Sequence, residues 1–97
     1  RGIFMGGKTP SGDTDIIDFI TIASEGNATD FGNLLASNDN GTSCSNSIRA
    51  LYAGGNGGNV IQFVNIPTTG NAVDFGDLTS ARNYFCSASD AHGGLTQ

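Results

Sequence analysis

The sequence consists of two copies of one unit, and this repetition constrains the fold more than any other feature. The segment Gly-Asn-Ala-Thr-Asp-Phe-Gly-Asn-Leu at 26–34 recurs as Gly-Asn-Ala-Val-Asp-Phe-Gly-Asp-Leu at 70–78, an offset of 44 residues. The other aligned segments are 15–20 with 59–64, and 1–7 with 49–55. The last pair is offset by 48 residues, because four extra residues fall in the turn at 8–14, where insertions are tolerated. Such a repeat indicates an architecture in which neighbouring units bury a common core.

Each unit is predicted to form short β-strands. Residues 16–22 and 60–66 are β-branched and aromatic runs of strand length, and the apolar triplets at 3–5 and 51–53 each end in Gly-Gly. The remaining predicted strands lie at 28–34, 72–78, 40–47 and 83–89. Composition favours strands and turns over helices, because Gly, Asn, Ser and Thr make up 43 of the 97 residues.

Four short strands per ~45 residues, with Gly-Gly after the first apolar strand, are typical of a β-propeller blade. We therefore predict an all-β chain of two four-stranded blades. Blade repeat 1 is expected at 1–48, and blade repeat 2 with a C-terminal tail at 49–97. The alternative is a two-sheet sandwich made of two similar halves.

The predicted core consists of apolar strand residues that we expect to be buried within or between blades. They are Ile3, Phe4, Ile17, Phe19, Phe31, Leu34, Leu51, Tyr52, Ile61, Phe63, Phe75 and Leu78. The repeated aromatics Phe31 and Phe75 are expected to wedge between neighbouring blades. Truncating Phe75 to alanine should then cost roughly 3–5 kcal/mol.

The repeat resembles a known family. Arg-Gly-Ile-Phe-Met-Gly-Gly at 1–7, Asp-Ile-Ile-Asp-Phe-Ile-Thr-Ile-Ala at 15–23, and the motif at 26–34 with its closer counterpart at 71–82 are similar to the kelch-like repeats of structural proteins from tailed phages, especially those of marine cyanobacteria. The segment at 89–95 looks like the end of such chains. The resemblance implies a β-propeller in a virion, outside the cell, as a fibre, tail or decoration component.

The chain departs from this family in two ways. Relatives often carry many repeats, whereas this chain has two. Asn38 stands where the second copy has Arg82, and kelch units often carry Arg at that place. The resemblance implies that Arg82 takes part in inter-blade packing, and that the first blade lacks one inter-blade hydrogen bond.

Two blades cannot close a ring, because propellers contain roughly four to eight. We therefore expect a homo-oligomer, with a trimer of six blades favoured and a dimer or tetramer as alternatives. The C-terminal polar strand of one chain would complete the sheet that the Arg1 strand of the next chain opens. The competing explanation is that the chain, which starts at Arg1 rather than Met, is the C-terminal part of a longer repeat protein.

Charge and hydropathy exclude two classes of partner. The net charge is −5 and the chain has four Lys and Arg in total, so binding led by nucleic-acid phosphates is not expected. No apolar run approaches the ~20 residues that span a bilayer, so membrane insertion is not expected. Cys44 and Cys86 form either one disulfide or two buried free thiols, and we favour the thiols because the repeat does not pair them.

No catalytic, cofactor or metal site is predicted. His92 is the one histidine, and the oxygen-rich turns at 13–15 and 38–41 lack the glutamate of an EF-hand loop. We expect a virion structural or interaction module that contacts other virion proteins, and not an enzyme. The alternative is a glycan-binding propeller at a host surface, with Tyr52, Tyr84 and His92 as candidate contacts. A hydrolytic propeller would rely on the repeated carboxylates Asp30 and Asp74.

Overall fold

The computed structural model describes residues 1–89. These residues form β-strands and no helix, which confirms the all-β prediction. The strands are β1 (Gly2–Met5), β2 (Lys8–Thr9), β3 (Gly12–Ile20), β4 (Thr29–Asn38), β5 (Thr42–Ser45), β6 (Arg49–Ala53), β7 (Val60–Asn65) and β8 (Val73–Asp77). Within the described part of the chain, residues 83–89 form no strand, so the strand predicted there is not present. β2 was not predicted.

The strands form two four-stranded antiparallel sheets. In sheet 1, β3 pairs with β1, β2 and β4. Sheet 2 is a meander in the order β5-β6-β7-β8. The sheet boundary lies between β4 and β5, and therefore does not coincide with the repeat boundary at 48/49. β5, the last strand of the first repeat, pairs with β6, the first strand of the second repeat.

The two repeats share the same hydrogen-bonding register. Ile17 of β3 lies opposite Gly32 of β4, and 44 residues further on Ile61 of β7 lies opposite Gly76 of β8. A register shift, as at a β-bulge, follows both Ile17 and Ile61. The sequence repeat is therefore also a structural repeat, down to the position of an irregularity in the sheet.

The turn between β5 and β6 explains why β5 joins the second sheet. The side-chain oxygen of Asn46 accepts hydrogen bonds from the backbone nitrogens of Ile48 at 2.8 Å and Arg49 at 2.7 Å. The backbone nitrogen of Asn46 donates to the Arg49 carbonyl at 3.0 Å. This Asx turn closes a tight hairpin, so β5 pairs with the strand that follows it.

The core lies between the two sheets. Its buried hydrophobic residues are Ile17, Phe31, Leu34, Ala50, Tyr52, Val64 and Ala72, with Ile3, Met5, Phe19 and Ile66 partly buried against them. The core prediction was wrong for Phe4 and Phe75, which are 58% and 54% exposed within one chain. Sequence inspection also missed Ala50, Val64 and Ala72. Both differences follow from which faces of the sheets meet.

Candidate functional site

The contact between the sheets joins two faces that are not equivalent in the repeat. Sheet 1 contributes its front face, defined by Ile17, Phe31 and Leu34. Sheet 2 contributes its back face, defined by Ala50, Tyr52, Gln62, Val64 and Ala72, all of which are buried. The contact is thus front to back, which is a heterologous arrangement that can be continued by further units.

Backbone hydrogen bonds fix this contact at the outer edge of β4. The nitrogens of Gly70 and Ala72, in the turn between β7 and β8, donate to the carbonyls of Phe31 at 2.9 Å and Asn33 at 2.8 Å. In return, the Asn33 nitrogen donates to the side-chain oxygen of Asn71 at 3.0 Å. The edge of β4, which would otherwise be an open edge strand, is therefore satisfied by the second repeat.

Gln62 supplies a buried polar anchor to the same contact. Its side chain is 3% exposed, and its Oε1 accepts a hydrogen bond from the backbone nitrogen of Leu35 at 2.8 Å. A buried acceptor such as the Gln62 oxygen would be left unsatisfied without this partner, at a cost in free energy, so this bond also specifies how the sheets align. The first repeat has Asp18 at the position of Gln62.

Gly32 permits the close approach of the two repeats. A Cβ on Gly32 would run into the backbone carbonyl of Gly70, and the φ angle of Gly32 is 158°. The equivalent glycine of the second repeat, Gly76, has open space around the same position. Gly32 is thus required by the contact, whereas a Cβ on Gly76 would meet no atom of the described residues.

A side-chain hydrogen bond between the repeats also involves Asn38. The Nδ2 of Asn38 donates to the carbonyl of Gly54 at 2.9 Å. Asn38, which stands where the second copy has Arg82, therefore makes a side-chain hydrogen bond between the two repeats. The carbonyl oxygens of Asn38 and Arg82 occupy equivalent places, accepting from Gly7 at 2.8 Å and Gly55 at 3.1 Å.

A stack of an arginine and two phenylalanines occurs in both repeats. The Arg1 guanidinium lies 4.4 Å from the ring centre of Phe19, which meets Phe31 edge to face at 5.8 Å. In the second repeat, Arg49 lies over Phe63, also at 4.4 Å, and Phe63 meets Phe75 at 6.1 Å. The two stacks differ in burial, because Phe31 is 3% exposed and Phe75 is 54% exposed.

The counterparts of both contact faces are uncovered at the two ends of the chain. The front face of sheet 2 carries Phe75, and the back face of sheet 1 carries Phe4, Asp18 and Ala28. Phe4, Phe75 and Ala28 are exposed, while their equivalents Tyr52, Phe31 and Ala72 are buried. Among residues 1–89, no second sheet covers these exposed residues as one covers their equivalents.

The residues considered for glycan contact do not lie together. Tyr52 is buried in the core, so its ring offers no surface to a sugar. Tyr84 is exposed, with a φ angle of 54°, and His92 lies outside the described residues. Arg82 lies over the ring of Phe85 at 5.7 Å, within its own repeat.

The carboxylates in the described part of the chain do not form a cluster that resembles a catalytic or metal site. Asp30 and Asp74 are exposed, and lie opposite Asp18 and Gln62 in separate sheets. Among residues 1–89, no group of three or more His, Cys, Asp and Glu side chains is placed to hold a metal ion. The same residues contain no helix long and apolar enough to cross a membrane.

Both cysteines are free thiols, in agreement with the alternative favoured from the sequence. Cys44 is half-buried in β5. The expectation that both thiols are buried is wrong for Cys86, which is exposed because it follows the last strand rather than lying in a sheet.

Sequence inspection missed the residues that hold the two repeats together: Gly32, Gln62, Gly70 and Asn71. A signal was present, because Gly-Asn-Ala recurs without change at 26–28 and 70–72. A turn repeated without change is a candidate for a backbone contact, and the copy at 70–72 makes one. Comparison with known proteins adds no identity, since no protein-family model matches the chain and no curated protein is significantly similar to it.

Tyr52 is expected to make the free energy of unfolding depend on pH in the alkaline range. Its hydroxyl accepts a hydrogen bond from the Gly41 nitrogen at 3.2 Å. Burial raises the pKa of the Tyr52 phenol above its usual 10.0, and Asp39 and Asp13 raise it further, while the bond from Gly41 lowers it. Since the folded pKa lies above the unfolded one, the stabilisation is complete below about pH 10 and is lost as the pH rises through the folded pKa.

We expect Tyr52→Phe to lower the free energy of unfolding by about 1 kcal/mol at neutral pH, through loss of the bond from Gly41. Above about pH 10, wild-type stability should fall toward that of the variant. Urea titrations between pH 7 and 11 measure this. Tyr84→Phe is the matched control: the Tyr84 ring is exposed, so its change should leave the free energy of unfolding unchanged both at neutral pH and above about pH 10. A constant difference between wild type and Tyr52→Phe over the whole range would contradict the prediction.

Proposed function

We propose that this chain is a two-blade building unit of a β-propeller, which closes into a ring with further copies and serves as a structural module of a virion. The resemblance of its repeat to kelch-like repeats of phage structural proteins supports a place in a fibre, tail or decoration component. The exposed counterparts of the internal contact, described above, support self-assembly.

The main support for this proposal is that the sheet boundary does not coincide with the repeat boundary. β5 belongs to the first repeat, yet it completes the sheet of the second repeat by pairing with β6. β1 corresponds to β6, and lies at the edge of sheet 1. At the offset of 44 residues, the segment that corresponds to β5 is 86–89, at the other end of the chain. Segment 86–89 of one copy therefore fits beside β1 of the next copy.

The surroundings of both partners suit this strand addition. A cleft of about 220 Å³ opens beside β1, lined by Arg1, Ile3 and Met5 on one side and by residues of β5 and β6 on the other. Ser87 lies beside β5, where its hydroxyl oxygen is 3.0 Å from that of Thr42 and donates to the Ser43 carbonyl at 2.9 Å. Segment 86–89 forms no strand within the single chain, but it lies next to β5, where the equivalent strand of the neighbouring unit would lie.

Absolute mass in solution tests the proposal. Light scattering is expected to give about 30 kDa, three times the 9.9 kDa of one chain, because three chains supply six blades and three-fold symmetry is usual in phage fibres. About 20 or 40 kDa would instead give rings of four or eight blades. A folded species of 9.9 kDa at all concentrations would contradict the proposal.

Truncation locates the closure. A chain that ends at Phe85 lacks the segment equivalent to β5 and should lose assembly. A chain that ends at Ser89 keeps that segment and is the matched control, expected to assemble like the full chain. Equal masses for the two truncated chains would show that 86–89 is not the strand that joins neighbouring copies.

A further inference from the structure

We propose that the uncovered front face of sheet 2 binds the back face of sheet 1 of a second copy, through residue-by-residue equivalents of the contact seen inside the chain. This inference rests on the proposed ring assembly and names its second contact, which is separate from the strand addition at β1. The partner is a second copy because the two exposed surfaces match the two halves of a contact that this sequence already makes.

The edge of β8 corresponds to the satisfied edge of β4. Inside the chain, Gly70 and Ala72 donate to the carbonyls of Phe31 and Asn33. Shifted by one repeat, the nitrogens of Gly26 and Ala28 of the second copy donate to the carbonyls of Phe75 and Asp77. The equivalent of the bond from Asn33 to Asn71 runs from the Asp77 nitrogen to the side-chain oxygen of Asn27. All the required groups are present, since the turn is Gly-Asn-Ala in both repeats.

The buried anchor also has an equivalent. Gln62 accepts from the Leu35 nitrogen inside the chain. The equivalent pair is the side chain of Asp18 and the nitrogen of Thr79, because Asp18 aligns with Gln62 and Thr79 with Leu35. An ionised carboxylate is an acceptor, so Asp18 can take the place of the amide oxygen.

The apolar parts of the two surfaces are complementary as well. Phe31 is buried in the cluster that includes Tyr52, Val64 and Ala72. At the new contact, Phe75 meets the equivalents Phe4, Ile20 and Ala28. Phe4, Phe75 and Ala28 are exposed in the single chain. Covering large apolar side chains such as Phe4 and Phe75 provides the hydrophobic driving force for association.

The charges differ between the internal contact and its intermolecular equivalent. Asp18 and Asp77 replace Gln62 and Asn33, so the intermolecular contact carries additional carboxylates. Their mutual repulsion weakens the intermolecular contact relative to the internal one and is screened by salt. Asp77→Asn restores the residue of the internal contact and is expected to tighten assembly.

Gly76 and Ala28 allow each surface to be blocked separately. A Cβ on Gly76 meets no atom among residues 1–89 of its own chain. In the proposed contact it would strike the carbonyl of Gly26 of the second copy, as a Cβ on Gly32 would strike the carbonyl of Gly70. Ala28 is exposed, whereas its equivalent Ala72 is buried. Gly76→Ala therefore blocks the front face and Ala28→Arg blocks the back face, and each change leaves the opposite surface of the same chain intact.

Complementation between the two variants tests the inference. Each variant alone should show an apparent dissociation constant raised at least about tenfold over wild type, and its mass should approach 9.9 kDa. Mixed in equal amounts, they retain one good contact, formed by Gly76 of one chain and Ala28 of the other, and should form a one-to-one dimer. A dimer in the mixture also shows that both variants are folded. Ser11→Ala is the control, because its exposed side chain lies in the turn between β2 and β3, outside both contact faces, and its loss should leave assembly unchanged.

The outcomes separate this inference from the proposed function. If wild type is a 9.9 kDa monomer, ring assembly itself is contradicted. If wild type assembles and Gly76→Ala assembles equally well, the ring stands and the front-to-back contact is overturned. Loss of assembly in both variants without recovery in the mixture also overturns it, since head-to-tail complementation is then absent.

Discussion

Phe31→Ala is expected to lower the free energy of unfolding by about 3–5 kcal/mol, whereas Phe75→Ala in the dilute chain should lower it by only about 1–2 kcal/mol. Both residues occupy the same place in their repeats and meet their partner phenylalanines edge to face, at 5.8 and 6.1 Å. They differ in coverage, because the second sheet buries Phe31 while Phe75 faces solvent. The larger loss of unfolding free energy caused by Phe31→Ala therefore reports the burial of Phe31 between the two sheets.

Urea unfolding of both variants at several protein concentrations measures the difference. If a second copy covers Phe75, the loss caused by Phe75→Ala should grow as concentration rises, while the loss caused by Phe31→Ala is already large at low concentration. Equal losses at every concentration would contradict the assignment of Phe31 to the internal contact and of Phe75 to an exposed face.

Much of the architecture could be predicted because the physical signals were local and occurred twice. The predicted runs at 16–22 and 60–66 overlap β3 and β7. The repeated offset of 44 residues makes the two copies equivalent, and they pair in the same register, with Ile17 and Ile61 opposite Gly32 and Gly76. Local propensity and alternation determine which residues form strands. The agreement of both copies makes such a prediction stronger than either copy alone would allow.

The environment of each copy could not be predicted, because it depends on the neighbouring sheet rather than on the sequence of the copy. Phe31 and Phe75 lie in nearly identical segments, yet one is buried and the other exposed. Ala50 and Ala72 are buried because they lie on the back face of sheet 2, where small residues allow close approach to sheet 1. Inspection by apolar character favours large side chains and misses such positions.

The pairing of β5 was missed for a different reason. Sequence repeats reveal the period of the structure but not where one sheet ends and the next begins. The Asn46 turn decides this, because its bonds to Ile48 and Arg49 close a hairpin across the repeat boundary. An Asx-turn residue between two short strands is a local signal, and it would have assigned β5 to sheet 2.

The melting temperature is expected to rise by about 10 °C when the protein concentration is raised a hundredfold. Seven hydrophobic residues form the buried core of the described chain, and Ile17 is its one large side chain that is fully buried. Apolar side chains such as Phe4, Ile22 and Phe75 remain more than half exposed. Two sheets with this little burial, in a backbone rich in glycine, offset the entropy of folding poorly unless neighbouring copies cover the open faces.

Mass action sets the size of the effect. A hundredfold change in concentration corresponds to about 2.7 kcal/mol for one association step, and 1 kcal/mol shifts the melting temperature of a domain of this size by about 4–8 °C. In a closed ring of three chains, each chain receives about two-thirds of that free energy, which gives roughly 10 °C. Calorimetry from 1 to 100 times the lowest measurable concentration provides the test. Gly76→Ala should flatten the dependence, because it removes the front-to-back contact, whereas the surface variant Ser11→Ala should leave the dependence unchanged. A sharp melt that does not move with concentration would show that the two sheets are stable alone, and would contradict a fold that depends on assembly.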